Sequence, residues 1–199
     1  EDLEFERFQI KAVSAIEEEL DRILKTRKQS RIQTIADMVI RNYGHLDEKI
    51  NFYQNLRSLE DYVSRHSLNV AILCAMITHV MNIRREEQYH TVCAALLHDM
   101  GKLKKHEDVY FGAPYSREDA IRNCETQEEA YSVIEDAFAT EGPAIRRICQ
   151  QAAGKQLDLF PEEGKESRYK MLEGSNVLLV ANRYDEITAM TLQGTAQSE

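Results

Sequence analysis

Leu96-Leu97-His98-Asp99-Met100-Gly101-Lys102 sets an imidazole and a carboxylate side by side where an apolar run gives way to a glycine. Two polar side chains at the end of an apolar helix cost free energy unless something satisfies them. Neighbours on a regular helix diverge by about 100° and do not face each other. A glycine just beyond lets the backbone turn, so both groups could reach one centre. Imidazole nitrogen with carboxylate oxygen suits a divalent ion such as Mn, Fe, Zn or Mg. The plainer alternative is a capping histidine beside a surface aspartate, and a His-Asp dipeptide alone does not decide between them.

Two further residues belong to the same chemistry. His66 lies in Val63-Ser64-Arg65-His66-Ser67-Leu68-Asn69-Val70, inside a mostly apolar stretch, where a satisfied core histidine is the alternative. Asp185 closes Leu179-Val180-Ala181-Asn182-Arg183-Tyr184-Asp185, and a surface carboxylate is the alternative there. Taken together they supply His, His-Asp and Asp from three separate helical stretches, which a bundle could bring to one point.

The elements that must position them are read from periodicity, which is helical almost throughout. Val13, Ile16, Leu20, Ile23 and Leu24 predict one amphipathic helix over residues 3–27. Its charged face, with Glu17, Glu18, Glu19, Asp21 and Lys25, reads as solvated. A basic stretch over 25–31 interrupts the pattern. Ile32, Ile35, Met38 and Val39 mark a second helix ending near Tyr43-Gly44, and Leu46, Ile50, Tyr53 and Leu56 a third. Helices are expected over 59–81, with His66, and over 86–98, with Gly101 as the stop. Residues 102–117 read as a loop with its turn at Phe111-Gly112-Ala113-Pro114. Helices follow over 126–139 and 143–153, with Pro143 in a first turn; 154–164 is irregular, and a last helix spans about 167–190.

Composition narrows the classes. The chain has 199 residues, 43% hydrophobic and 30% charged, enough for one globular domain with or without an appendage. Eight glycines and three prolines argue against an all-β chain of tight turns. The apolar runs are too short for a membrane span, and no secretory signal is present. A start at Glu1 and a polar end suggest a piece of something longer. A net charge of -9 disfavours binding to nucleic acid, though not a small phosphate ligand held through a metal. Cys74, Cys93, Cys124 and Cys149 show no CxxC spacing, and Cys74 and Cys93, inside apolar helical runs, read as buried thiols of a reducing cytoplasm.

The order of these pieces resembles the HD superfamily of metal-dependent phosphohydrolases, and most closely a degenerate form of its HD-GYP branch, whose active members hydrolyse cyclic di-GMP. The resemblance runs from about Leu59 to Thr188. It rests on three blocks: Asp61-Tyr62 through His66-Ser67-Leu68-Asn69-Val70-Ala71, Ala95 through Lys102, and Val180-Ala181 through Tyr184-Asp185-Glu186-Ile187-Thr188. It implies an all-α fold, an HD-domain helical bundle with an N-terminal helical extension, divided as 1–57 and 58–199. It further implies one divalent metal ion held by His66, His98, Asp99 and Asp185. Lys102 would reach a substrate phosphate, and Asp99 would orient or deprotonate the attacking water.

The departures shape the expected function. Active HD-GYP members carry a further ligand histidine where this chain has Thr126-Gln127-Glu128-Glu129-Ala130, with Gln127 in the ligand position. Their adjacent His pair and GYP segment are replaced by Cys149-Gln150-Gln151-Ala152-Ala153-Gly154 and Leu159-Phe160-Pro161. Neutral Gln and Ala cannot replace imidazole donors for a second metal. His106 could approach the site from the loop after Lys102; His45, His79 and His90 read as structural or surface residues. The expectation is a phosphohydrolase acting on a nucleotide or small phosphoester, with Asp99 and Lys102 catalytic, and not an efficient cyclic di-GMP phosphodiesterase. The alternative is an inactive HD-GYP-like signalling module, with a homodimer or an upstream sensor domain as partner through the N-terminal helix.

Overall fold

The computed structural model describes residues 2–46, 56–58, 60–104, 116–159 and 170–191. Seven α-helices account for most of them: α1 (Asp2–Thr26), α2 (Ile32–Tyr43), α3 (Tyr62–Val80), α4 (Arg85–Leu97), α5 (Arg117–Phe138), α6 (Gly142–Lys155) and α7 (Glu173–Thr188). Single 3-10 turns follow α4 at Met100–Lys104, α5 at Ala139–Glu141 and α6 at Gln156–Leu159. The fold is an all-α bundle. Two short strands, β1 (Leu56–Arg57) and β2 (Met190–Thr191), pair in parallel with Leu56 opposite Met190.

α3 and α4 form the centre. α1 and α2 pack against them, as do α6 and α7, and α5 lies against α6 and the Met100–Lys104 turn. Helices α1 and α2 contribute Ile16, Leu20, Ile23, Ile32, Ile35 and Val39 to the same core as Leu68, Ile72, Leu96 and Leu97. Each fully buried Leu or Ile contributes about 1.5–3 kcal/mol relative to exposure. The 3.6-residue spacing of these positions is what makes α1 a helix with one core-facing stripe.

The connections have local causes. Asn82 sits in the left-handed region at φ 53°, where an asparagine is tolerated. Ile83 N donates to Thr78 O at 3.0 Å and Asn82 N to His79 O at 3.0 Å, a Schellman arrangement that ends α3 and turns the chain into α4. Between α1 and α2 the device is electrostatic. Glu19 is buried, and its carboxylate accepts from the backbone N–H groups of Ser30 and Arg31 at the start of α2. This corrects the expected solvated face of α1: Glu19 belongs to the turn, not to solvent. Burial works against ionisation of the Glu19 carboxyl, but those backbone donors outweigh it and hold the group below its ordinary range.

Other boundaries shift for identifiable reasons. α5 begins nine residues before the expected start at 126, because Ser116 caps it by accepting from Asp119 N at 3.2 Å. α6 and its 3-10 turn continue through residues 154–159, which the sequence suggested were irregular. α7 starts at Glu173, later than expected, with Leu172 N and Ser175 Oγ both donating to Gln151 Oε1 of α6. Leu46 and Leu56, expected on a third helix, lie past the end of α2 and in β1, and the residues between them, 47–55, are outside those described. The turn at 111–114 and His106 also lie outside the described residues.

Candidate metal centre

The site forms where α3, the end of α4 and α7 meet. His66 comes from the first half of α3 and is fully buried. His98 and Asp99 follow Leu97, the last residue of α4, where the helix gives way to the 3-10 turn that carries Lys102. That turn is pinned to α5 from both ends. Tyr131 OH donates to His98 O at 2.7 Å, and Gly101 N donates to Gln127 Oε1 at 2.9 Å. Gly101 is not a left-handed stop. It is required because a Cβ there would stand 2.6 Å from Gln127 Oε1 and 2.7 Å from Thr126 O.

His66, His98 and Asp99 come together, each with a ligand-type atom within 4.8 Å of the others. The two imidazoles meet edge to edge, Nε2 to Nε2, at 3.1 Å. Asp99 Oδ2 is 3.4 Å from His66 Nε2, and Asp99 Oδ1 is 3.8 Å from His98 Nε2. The tautomers follow from the partners on the far nitrogens. His98 Nδ1 lies 2.6 Å from Ala95 O, which can only accept, so Nδ1 carries the proton. His66 Nδ1 lies 2.6 Å from Asp185 Oδ2 and donates to that carboxylate in the same way. Burial pushes the His98 imidazole below its ordinary value, with Asp99 opposing, which favours the neutral ring. The proton on His98 Nδ1 leaves a lone pair at its Nε2, which faces the Nε2 of His66.

Two ring nitrogens and a carboxylate oxygen thus face one point. The donor set, two imidazoles and a carboxylate, therefore fits a divalent metal. Asp99 remains ionised: burial opposes its charge, but Lys102, His98 and His66 together hold the carboxyl well below the usual carboxylate range. Lys102 Nζ donates to Asp99 Oδ2 at 2.9 Å, and Gln127 Nε2 donates to Asp99 Oδ1 at 3.3 Å. Lys102 is buried, with its ammonium on Asp99.

Asp185, expected as the fourth ligand, is placed elsewhere. Its Oδ2 accepts from the other ring nitrogen of His66, and its Oδ1 accepts from Arg57 Nη2 at 2.6 Å and Asn69 Nδ2 at 3.3 Å. Burial opposes its ionisation, yet His66 and Arg57 keep the carboxyl strongly lowered. The α7 residue that faces both Nε2 atoms is Asn182, whose Oδ1 lies 2.8 Å from His66 Nε2 and 3.0 Å from His98 Nε2. Sequence reasoning passed over it. The available signal was its position three residues before Asp185, on the same helix face. Arg57 was also missed; it is buried, pairs with Asp185 and lies over the Tyr62 ring at 5.2 Å, while Tyr62 stacks on His66.

A cavity of about 20 Å³ opens beside the site, lined by His98, Asp99, Lys102, Gln127, Asn182 and Glu186 among others. Glu186 accepts from Asn182 Nδ2 at 3.3 Å, and burial raises its carboxyl above the ordinary range. Cys149, Gln150 and Gln151 do structural work. Gln150 donates to Glu128, Gln151 caps α7, and Cys149 Sγ donates to Ala94 O.

A helical bundle that sets His from one helix beside His-Asp at the end of the next defines a candidate metal-binding class, and comparison with known families agrees. The HD domain family matches residues 63–189, well over half of the chain, and the protein belongs to that family. HD domains bind divalent metals, and the superfamily is one of metal-dependent phosphohydrolases. No curated protein and no solved structure matches the chain. Among the described residues, no helix is long and apolar enough to cross a membrane.

Proposed function

We propose that the protein is a one-metal phosphohydrolase acting on a nucleotide or another small phosphoester, in the cytoplasm. The observation that carries this reading is the convergence of His66 Nε2, His98 Nε2 and Asp99 beside the buried ammonium of Lys102. The metal would be held by the two imidazoles and Asp99, with one more oxygen donor from α7. When bound there, a divalent ion supplies Lewis acidity toward a phosphoryl oxygen and lowers the pKa of a coordinated water.

The chain supplies the rest. Lys102 places a flexible cation where an anionic phosphoryl oxygen enters, so that its charge passes from Asp99 to the substrate. Asp99 orients the attacking water through the carboxylate oxygen that Gln127 positions, or takes its proton. Ala95 O and Asp185 fix the two ring tautomers, so both lone pairs point inward. Tyr131 and Gln127 hold the turn that presents His98, Asp99 and Lys102. The HD unit is assigned to 58–199, with residues 1–57 as an extension bonded to it through the shared core and through Arg57.

Efficient cyclic di-GMP hydrolysis is not part of this reading, because Gln127, Gln150 and Gln151 leave no imidazoles for a second metal. The size of the cavity favours a second reading, a degenerate HD-GYP-like signalling module. A space of about 20 Å³ admits a water or an ion and not a nucleotide. The full chain, assayed with Mn²⁺ against a nucleotide panel and bis(p-nitrophenyl) phosphate, separates the two. Turnover that disappears in His98→Ala supports the enzyme; absent turnover with metal bound supports the module.

A further inference from the structure

We propose that Asn182, and not Asp185, completes the metal centre: its side-chain carbonyl oxygen is the fourth protein ligand, and Asp185 positions His66 from behind. This deepens the proposed function and rests on its metal site. The distances carry it. With metal–ligand bonds of about 2.1 Å, adjacent donor atoms of an octahedral site lie about 3.0 Å apart. Asn182 Oδ1 is 2.8 Å from His66 Nε2 and 3.0 Å from His98 Nε2, and the two Nε2 atoms are 3.1 Å apart. These three edges close one triangular face. Asp99 Oδ2, 3.4 Å from His66 Nε2, stands next to it.

The amide orientation is a second, independent observation. Here the carbonyl oxygen faces inward, and Nδ2 is held outward by Glu186 Oε1. That orientation brings an amide oxygen, a metal-ligating atom, to the two ring nitrogens. Asp185 has no such freedom, because its two oxygens are engaged by His66 Nδ1, Arg57 and Asn69. The three residues that separate it from Asn182 amount to about 4.5 Å along α7, nearly one turn.

The consequence is a centre with a single ligand carboxylate. Affinity for a hard divalent ion rises with the number of charged ligands, so this site should bind loosely and tighten when a charge is added. The test is Mn²⁺ binding by calorimetry to the full-length chain and to three variants, with circular dichroism to confirm folding. Asn182→Asp is expected to bind about tenfold more tightly, and Asn182→Leu about tenfold more weakly, while Asp185→Asn keeps one weaker site because it disturbs only the orientation of His66. In the unsubstituted chain, Zn²⁺ should displace the Asn182 ¹³Cγ resonance more than that of Asp185. The assignment is overturned if Asn182→Leu binds Mn²⁺ as well as the parent chain, or if Zn²⁺ moves the Asp185 carboxylate resonance instead. Absence of binding in both the parent and Asn182→Asp overturns it as well. Metal binding that follows these expectations without phosphoester turnover would remove the enzymatic reading and leave the ligand assignment in place.

Discussion

His66 and Asp185 share a 2.6 Å hydrogen bond through the ring nitrogen that does not face His98. The bond fixes which nitrogen of His66 is left with a lone pair. Arg57 then compensates the charge of Asp185 from a position 128 residues away in sequence. The three residues form one buried chain of guanidinium, carboxylate and ring, and its inner end faces His98 in the candidate metal site.

Breaking that chain at Arg57 should be costly. Removing one partner of a buried ion pair leaves the other charge without compensation, at about 3–5 kcal/mol. Arg57→Met is expected to lower the unfolding free energy by an amount in that range, and the urea midpoint with it, partly softened by the bonds from His66 and Asn69 that remain on Asp185. Urea titration followed by far-ultraviolet circular dichroism measures it. An unchanged midpoint would show that the pair contributes nothing.

Glu19 makes stability depend on acid. Its carboxyl is lowered in the folded state, so its contribution is fully present above the unfolded value near 4.5 and is lost as pH falls through the folded value. Glu19→Gln should flatten the acid limb of the stability curve. At neutral pH it should cost about 1–2 kcal/mol, because the start of α2 loses a charged acceptor. Denaturant melts at a series of pH values provide the check, and parallel acid limbs for the two proteins would refute the role.

Gly101 is required by close approach rather than by a turn conformation. Gly101→Ala would press a methyl group against Thr126 O and Gln127 Oε1, and overpacking of this kind costs about 1–3 kcal/mol. The turn that carries Lys102 would move away from α5, so metal affinity should fall together with the melting temperature. A variant with the parent's melting temperature and Mn²⁺ affinity would contradict this packing argument.

Lys102 holds Asp99 while competing with any cation for the same oxygen. Lys102→Gln is therefore expected to bind Mn²⁺ more tightly than the parent chain and to lose phosphoester turnover. Calorimetry and the phosphoester assay together read this opposite movement. Weaker metal binding in the variant would place Lys102 in a supporting role instead.

Much of this site was legible in the sequence, and the reasons it was incomplete are physical. His66, His98 and Asp99 stand out as polar groups in apolar helices, where burial demands a partner, and the structure brings them together. Asn182 and Asp185 share one face of α7, so periodicity alone cannot say which meets the imidazoles; that depends on how far α7 slides along α3. Arg57 and Glu19 find partners only after the chain folds, and their local surroundings look like loop and solvent. The all-α bundle was readable from the 3.6-residue spacing. The start of α5 was not, because its signal is a single Ser116 cap and no apolar stripe begins there.

The central claim is that His66, His98 and Asp99 hold one divalent cation. Titration of the metal-stripped full-length chain with Mn²⁺, followed by calorimetry and compared with His98→Ala, tests it most directly. The account predicts one site per chain, lost in the variant while the fold is retained. No binding by the parent chain, or equal binding by both, would contradict it.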